Sequence, residues 1–454
     1  MIRSRHSGLL AAGLILSLAV KLLVWGVVWY KDSALFTWAD TKGYQDSALM
    51  LLERGEFTVS SALPDIVQTF RTPGYPVFLA AVYGVIGVSY APVVLLQIFI
   101  SLGTIILAYT VASRIWNKKI GLIAAIILCL DTLSFTYSLK VLTETLFALI
   151  MMVLILCCVG ILQGKSRGWL ALAAGVCMGA GTLIRPVGLY MIAPVLLALI
   201  AAGIKQKWGW RLVVKTVLAL AVPYVICVGG WTYRNYKMTG QAIFTSFDGY
   251  YLLFWHGSAI VSARDGISIE EAQIKLGMEG RGEGYKQMHP ETKDYNFETM
   301  AGIWKQEGLK LIKQNPLIFL RTEVSGMLRV MFRPGIRELL MMVGASDNFR
   351  EIFNLGENWD TFMLVGWSVL FLIILYMGII RYFIAVFQNR KLEGLDILFW
   401  LLIIYFIVTS GGPAAQSRYR VPVMPLLAFY AAQGWWMMWE RWKSGRRPPV
   451  DSRR

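Results

Sequence analysis

The chain has 454 residues, of which 56% are hydrophobic, and its mean hydropathy is +0.56. Apolar stretches of about 18–25 residues recur along it, and each could cross a hydrocarbon core roughly 30 Å thick, so the sequence predicts an all-α polytopic membrane protein. The net charge of +16 would suit nucleic acid, but Lys and Arg are concentrated in short loops between apolar stretches, as in cytoplasmic loops. We therefore predict a bilayer, and no nucleic acid, as partner.

The N-terminal stretch "MIRSRHS" and the apolar run that follows it resemble a signal sequence. The run continues to Tyr30, which is too long, and no small-residue cleavage site follows, so we predict an uncleaved first span.

We predict ten spans with both termini in the cytoplasm. An additional apolar segment, 74–88, is short and begins "PGYP". If this segment crossed the membrane, the short basic loops would lie on both sides; if it lies in the outer interface, all of them face the cytoplasm. We therefore expect an interfacial helix there. The ten predicted spans are 8–30, 91–113, 119–138, 143–162, 168–184, 187–204, 211–231, 361–380, 394–410 and 419–439.

This topology divides the chain into three regions. They are an N-terminal transmembrane core (1–231) with a first outer loop at 31–90, an extracytoplasmic insertion (232–360), and C-terminal transmembrane helices with a basic cytoplasmic tail (361–454). Within the insertion, 316–335 is apolar but carries Arg321, Glu323 and Arg329. This composition predicts an amphipathic helix, either interfacial or packed against protein, and not a span.

Five arginines and two carboxylates are predicted at the outer ends of the spans. Arginines on the outer side oppose the positive-inside bias, so each requires a local reason. One such arginine could extend to lipid headgroups. Five on one face, together with two carboxylates, indicate instead a site for an anionic ligand. The seven residues are Asp40, Arg71, Glu144, Arg185, Arg234, Arg418 and Arg420.

Two further charges, Lys21 and Asp131, lie inside predicted spans at similar depths. Ionisable residues in a membrane usually pair or line a cavity. A Lys21–Asp131 pair and separate contacts with the site cavity are both open.

Cysteine and histidine usage gives no indication of a metal site. All five cysteines lie inside apolar segments without metal-ligand spacing, and there are only three histidines. We predict no bound cofactor from these residues.

Several stretches together resemble the membrane-embedded, lipid-linked-sugar glycosyltransferases of the GT-C type. The similarity is to the branch with protein O-mannosyltransferase-like enzymes (glycosyltransferase 39-like) and the lipid A aminoarabinose transferase. It covers most of 1–258 and the last span, while the insertion from about 260 to 360 has no matching motif. The matching stretches are "WADTKGYQDSALMLLERGEF", "RTPGYPVFLAAVYGVIG", "VLLQIFISLGTIILAYTVASRIW", "SLKVLTETLFALI", "TLIRPVGLY", "GGWTYRNYKMTGQAIFTSFDGYYLLFWHGS" and "SRYRVPVMPLLAFYAA".

The resemblance implies roles for the residues at the matching positions. Asp40 is expected to be the catalytic base, and Glu144 a second acidic residue facing the site. The family's eukaryotic members carry an Asp-Glu pair in the first loop, whereas here Asp40 precedes Thr41. This departure leaves open the acceptor class and whether a divalent metal binds there. The expected substrate and donor-phosphate residues are Arg71, Tyr44, Tyr75, Arg185, Arg234, Arg418 and Arg420.

The implied function is transfer of a sugar, with inversion, at the outer face of the cell membrane. Nucleotide sugars are not available there, so the donor must be a polyprenyl-phosphate sugar; the acceptor could be a lipid, a glycan or a protein. Two alternatives remain from the sequence: a multi-span transporter or flippase, and a ligase or polymerase of lipid-linked glycans. A transporter would place its ionisable groups along a path through the membrane, whereas here they cluster at one face.

Overall fold

The computed structural model describes residues 2–165, 167–344, 359–389 and 394–445. The basic tail beyond 445, residues 390–393 and the predicted end of the insertion at 345–358 lie outside the described residues. Within the described part the chain is almost entirely helical, with one short antiparallel hairpin. The predicted all-α class is confirmed.

The described part of the N-terminal region contains ten α-helices, two short 3₁₀ helices and both strands. The α-helices and strands are α1 Ile2–Lys31, α2 Thr41–Arg54, β1 Thr58–Ser60, β2 Leu63–Val67, α3 Gly74–Ile86, α4 Tyr90–Ile115, α5 Lys118–Leu130, α6 Thr132–Ser138, α7 Glu144–Leu162, α8 Arg167–Ile184, α9 Ile192–Lys205 and α10 Trp210–Thr239. The last of these continues past the predicted end of its span, into the predicted insertion.

The insertion begins with short helices and continues with two longer ones. They are α11 Phe247–Tyr251, a π-helical turn Leu252–Gly257, α12 Ser258–Asp265, α13 Ile269–Lys275, α14 Glu283–Met288, α15 Phe297–Gln314, α16 Pro316–Phe332 and α17 Arg337–Val343. The C-terminal helices are α18 Trp359–Asn389, α19 Gly394–Thr409 and α20 Met424–Gly445.

By length and apolarity, seven of the described helices could cross a membrane, and an eighth if a bent pair is one span. The helices α3 and α19 are apolar but shorter. The start of α20, from Met424 to Ala432, is buried among its neighbours. At 13 residues, α3 is about 20 Å long, less than the thickness of the hydrocarbon core. Its interfacial position remains a prediction.

The segment 119–138 is not the single straight helix that the sequence predicts. It breaks at Asp131 into α5 and α6, which are bent by 61° relative to each other. The Asp131 side chain accepts hydrogen bonds from the backbone N–H groups of Leu133 and Ser134, so it caps the N-terminus of α6. Its carboxylate is buried because it satisfies a helix terminus inside the protein.

Lys21 does not pair directly with Asp131. Its ammonium group donates a 2.6 Å hydrogen bond to the hydroxyl of Ser101. The described residues therefore show no direct Lys21–Asp131 ion pair, and the hydrogen bonds of both residues are with Ser101 and the start of α6, not with the predicted site residues.

Candidate active site

Asp40 lies at the N-terminus of α2, in the first outer loop, between two arginines. Arg71 Nη2 donates to Asp40 Oδ1 at 2.7 Å, and Arg418 Nη2 donates to Asp40 Oδ2 at 2.7 Å. Each carboxylate oxygen therefore has its own guanidinium partner. Residues 378 positions apart in the sequence meet here, so the loop before α2 and the 3₁₀ helix before α20 build the site together.

Glu144, the first residue of α7, forms the second half of the site. Its Oε1 lies 3.0 Å from Arg185 Nη1 and 3.7 Å from Arg418 Nε. Arg418 thus contacts both carboxylates and joins them into one row. We call Arg71, Asp40, Arg418, Glu144 and Arg185 the charged network.

The charged network has three cations and two anions, so it carries one excess positive charge. Arg185 Nη1 and Arg418 Nε are buried and lie near Glu144, but neither is aligned for a hydrogen bond. Buried donors without partners are costly in a folded protein and are uncommon. A site with surplus charge and unsatisfied guanidinium donors is suited to an anionic ligand such as a phosphate.

Burial and the two arginines act in opposite directions on Asp40. Burial alone would raise the pKa of this carboxyl, but attraction and hydrogen bonds from Arg71 and Arg418 outweigh it and bring the pKa down to about 2. Asp40 is therefore ionised at neutral pH. With both oxygens occupied and a low pKa, it is a weak proton acceptor in this state.

The first outer loop positions Arg71 through Gln68, a residue that the sequence analysis missed. The amide oxygen of Gln68 accepts hydrogen bonds from the backbone N–H groups of Phe70 and Arg71, and its amide nitrogen donates to Ser47 on α2. These bonds fold the end of β2 back toward α2, which carries Asp40 close to its N-terminus.

Gly74 explains how this loop meets the end of α8. A Cβ at this position would lie 2.7 Å from backbone atoms of Leu183 and Ile184. Only glycine permits so close an approach, and it brings the loop that carries Arg71 against the residues just before Arg185.

The segment before α7 fixes the residues on either side of Asp40. The Thr41 hydroxyl donates to the backbone carbonyl of Val141, and the Lys140 ammonium donates to the carbonyls of Leu35 and Thr37. Thr41 is 1% exposed. The residue that departs from the family's Asp-Glu pair therefore has a local structural role.

Three tyrosines line the charged network. The guanidinium of Arg71 lies 4.8 Å from the ring centroid of Tyr44, and that ring packs edge-on against Tyr75. Tyr75 is fully buried and donates to Gln97. On the opposite side, the ring centroid of Tyr419 lies 5.5 Å from the guanidinium of Arg185 and 5.3 Å from that of Arg418. Nothing in the sequence pattern around Tyr419 indicated that it belongs to the site.

The structure places Arg234 outside the charged network. Its guanidinium donates to the backbone carbonyls of Phe57 and Gln68 at 2.8 and 3.0 Å. It therefore ties the end of α10 to the base of the β1–β2 hairpin. The predicted contact of Arg234 with a donor phosphate is not supported by this placement.

Arg420 is also separate from the charged network. It is 1% exposed, and its guanidinium donates to the carbonyls of Val330, Met331 and Arg333 at the C-terminal end of α16. Residues 417–423 form a 3₁₀ helix, in which residues two apart point in different directions. Arg418 and Arg420 therefore face opposite surroundings, and the predicted shared role in phosphate binding does not follow.

In the described part of the chain, no group of three or more His, Cys, Asp or Glu side chains could hold a metal ion. The two carboxylates of the charged network are each paired with arginine, which competes directly with a cation for the same oxygens.

Residues 71–231 match the family model described as dolichyl-phosphate-mannose-protein mannosyltransferase. No curated protein matches the chain at a significant level. Among solved structures, the oligosaccharyltransferase AglB from Archaeoglobus fulgidus, in complex with an inhibitory peptide and a dolichol-phosphate, superimposes with a TM-score of 0.58 at 12% identity. That alignment covers 98% of this chain and 51% of AglB. The chain has the GT-C type fold of membrane glycosyltransferases.

Two further solved structures are similar. The apo form of the A. fulgidus oligosaccharyltransferase gives a TM-score of 0.53 at 10% identity over 97% of this chain and 51% of that one. ArnT from Cupriavidus metallidurans, bound to undecaprenyl phosphate, gives 0.43 at 14% identity over 92% and 77%. This GT-C chain spans about half the length of the archaeal proteins it matches. The predicted GT-C resemblance is confirmed.

Proposed function

We propose that this GT-C protein transfers a sugar from a polyprenyl-phosphate donor to a hydroxyl-bearing acceptor at the extracytoplasmic face, with Asp40 as general base. The observation that carries the proposal is the charged network, in which Asp40 lies between Arg71 and Arg418 while Glu144 and Arg185 complete the row. The dolichol-phosphate in the AglB complex and the dolichyl-phosphate donor in the name of the matching family support a lipid-phosphate donor.

The excess charge favours a monophosphate donor. A sugar linked to a polyprenyl monophosphate carries one negative charge, which equals the single excess positive charge of the charged network. A pyrophosphate-linked donor would bring a second negative charge. After transfer, the released phosphate gains charge, and arginines held in a partly dry site stabilise it.

The donor would also activate the base. Its phosphate competes with Asp40 for Arg71 and Arg418, which turn from the carboxylate toward the phosphate oxygens. Asp40 loses its two charged partners, so its pKa rises from about 2 and it becomes a better proton acceptor. Glu144 remains beside Arg185 and Arg418 and keeps these arginines at the site.

The chemical step then balances as a single displacement. Asp40 removes the proton from the acceptor hydroxyl, and the hydroxyl oxygen forms a bond to the anomeric carbon. The bond between that carbon and the phosphate oxygen breaks, and its electron pair leaves with the polyprenyl phosphate. Attack from the face opposite the leaving group inverts the anomeric configuration.

The test is a transfer assay with purified protein in detergent. The same radiolabelled sugar is supplied on polyprenyl phosphate or on polyprenyl pyrophosphate, with an envelope extract from cells lacking the gene as the acceptor pool. We expect transfer and release of polyprenyl phosphate from the monophosphate donor. Absence of transfer from both donors would contradict a transferase and favour a transporter.

Asp46→Asn is the matched control for Asp40→Asn, because Asp46 is a half-buried carboxylate of α2 that forms no ion pair with a described residue. Asp40→Asn should lose at least about 10²-fold in turnover, the contribution typical of a general base, while the control keeps it. Equal losses in both variants would remove Asp40 from its proposed role.

A further inference from the structure

The exposed face of α16 carries two parallel rows of side chains with a groove between them. Arg321 and Arg329, with Ser325 between them, follow one i, i+4 row, and Arg333 continues that row just beyond the helix end. The neighbouring row is apolar: Val324, Leu328 and Phe332 are 44%, 53% and 57% exposed. The groove between the rows has a volume of about 540 Å³.

The cationic row is not neutralised within the described part of the chain. None of Arg321, Arg329 and Arg333 forms an ion pair with a described carboxylate. The one carboxylate on α16, Glu323, points to another partner, because its Oε1 lies 3.0 Å from Nδ1 of His256. The groove therefore presents three positive charges beside an apolar surface.

One end of the groove lies against a helix that is long and apolar enough to cross a membrane. At the C-terminal end of α16, Phe332 packs against Tyr376 of α18 with ring centroids 5.1 Å apart, and the Tyr376 hydroxyl donates to the Met331 carbonyl. Tyr376 is inside a segment that could cross the membrane, residues 361–388. An occupant of the groove is therefore adjacent to lipid.

We propose that this groove binds an anionic phospholipid, with its phosphate on the arginine row and an acyl chain along the apolar row. A soluble anion would leave the apolar row exposed, and a neutral lipid would leave the three guanidinium groups without a counter-charge. Neither matches both rows.

The reacting donor is a poorer match. Its phosphate is bonded directly to the sugar carbon that is attacked, so it must lie beside Asp40. Arg321, Arg329 and Arg333 share no ion pair or hydrogen bond with Asp40 or Glu144 among the described residues. A phosphate held by the arginine row is then distinct from the phosphate beside Asp40, and this distinction rests on the proposed role of Asp40 in the transfer reaction.

The site also contacts the loop before the charged network. Arg329 donates to the carbonyls of Gly412 and Pro413 at 2.7 and 3.2 Å. This loop leads directly into the 3₁₀ helix that carries Arg418. A bound lipid phosphate would hold Arg329, and with it this loop, in place.

The test measures lipid retention by the purified full-length protein. Delipidated protein is mixed with vesicles of equal parts phosphatidylglycerol and phosphatidylcholine, re-isolated in mild detergent, and its retained lipids are counted by mass spectrometry. We expect a preference for phosphatidylglycerol that falls about fivefold for each of Arg321→Gln and Arg333→Gln, the contribution typical of one basic residue near an anionic lipid. The lysine variants should retain most of the preference.

Arg54→Gln is the control, since Arg54 is an exposed outer-loop arginine outside the groove. It should retain the wild-type preference, and melting in phosphatidylcholine should be the same for all variants. An unchanged preference in the double variant Arg321→Gln/Arg333→Gln, or an equal loss in Arg54→Gln, would overturn the proposal. So would exclusive retention of added polyprenyl phosphate with no preference for phosphatidylglycerol, which would assign the groove to the donor lipid.

Discussion

The arginines of the charged network and the arginines bound to backbone carbonyls have different surroundings, although the sequence predicts both groups at outer span ends. Arg71, Arg185 and Arg418 face carboxylates. Arg234 and Arg420 donate to backbone carbonyls of neighbouring elements. A carboxylate-paired arginine can exchange its partner for a phosphate, whereas Arg234 and Arg420 cannot turn away from their carbonyls without leaving these acceptors unsatisfied.

This difference predicts that substitutions in the two groups fail in different ways. Changes in the charged network should reduce turnover while the protein stays folded. Changes among the carbonyl-bound arginines should reduce stability while the folded fraction keeps its turnover.

Arg418→Lys should cause a large loss of turnover, about 10²–10³-fold, the usual effect of removing one donor that stabilises developing charge. Arg418 reaches both Asp40 and Glu144 through different nitrogens, and a lysine ammonium cannot reproduce this geometry. Single-turnover transfer measures the loss, with melting temperature as the control. Wild-type turnover in a folded variant would place Arg418 outside the donor site.

Arg420→Met should instead destabilise the fold. The guanidinium caps the C-terminal carbonyls of α16, which have no intrahelical partners. Each hydrogen bond from a charged group contributes about 1.5–3 kcal/mol, so the rate of thermal inactivation should rise at least tenfold. Turnover of the folded fraction, corrected for active protein, should remain near the wild-type value. A selective loss of turnover with normal stability would return Arg420 to the donor site.

The contrast also explains what the sequence could predict. Apolar stretches of sufficient length gave the polytopic helical class, and motif order gave the fold type. The sequence also indicated Asp40, Glu144 and outward arginines as a group. It could not separate Arg418 from Arg420, because that depends on a 3₁₀ turn at "SRYRVPV". It could not find Gln68 or Tyr419 either, since their roles arise from contacts between distant segments.

The pH dependence of transfer should distinguish the two states of Asp40. In the donor-free site the pKa is depressed to about 2, so the stabilising ion pairs of Asp40 are present above its usual pKa and are lost only as the pH falls toward 2. The parameter kcat/KM reports this free enzyme, and kcat reports the donor complex, in which we propose that Asp40 loses its arginines. As the pH is lowered, kcat should therefore begin to fall at least about one pH unit above the pH at which protonation of Asp40 lowers kcat/KM.

Asp40→Asn provides the control for this prediction, because its residual activity should show no such separation. Coincident acid limbs in the wild-type protein would mean that Arg71 and Arg418 remain on Asp40 when the donor binds. The exchange of partners would then be excluded, whatever the size of the turnover loss in Asp40→Asn.

The smallest effect is expected for Arg234→Lys. Arg234 joins α10 to the base of the hairpin through two carbonyls, those of Phe57 and Gln68, and Gln68 in turn positions Arg71. A lysine keeps the positive charge, but its single ammonium group can keep one of these contacts more easily than both. Loss of one such bond should cost about 1.5–3 kcal/mol at most, and less where the loop is open to water.

Because the loop carries Arg71, its loosening should weaken donor binding: KM for the donor should rise a few-fold while kcat stays nearly constant. A loss in kcat of the size expected for Arg418→Lys would show that Arg234 contacts the reacting phosphate, and the distinction between carboxylate-paired and carbonyl-bound arginines would fail at this position.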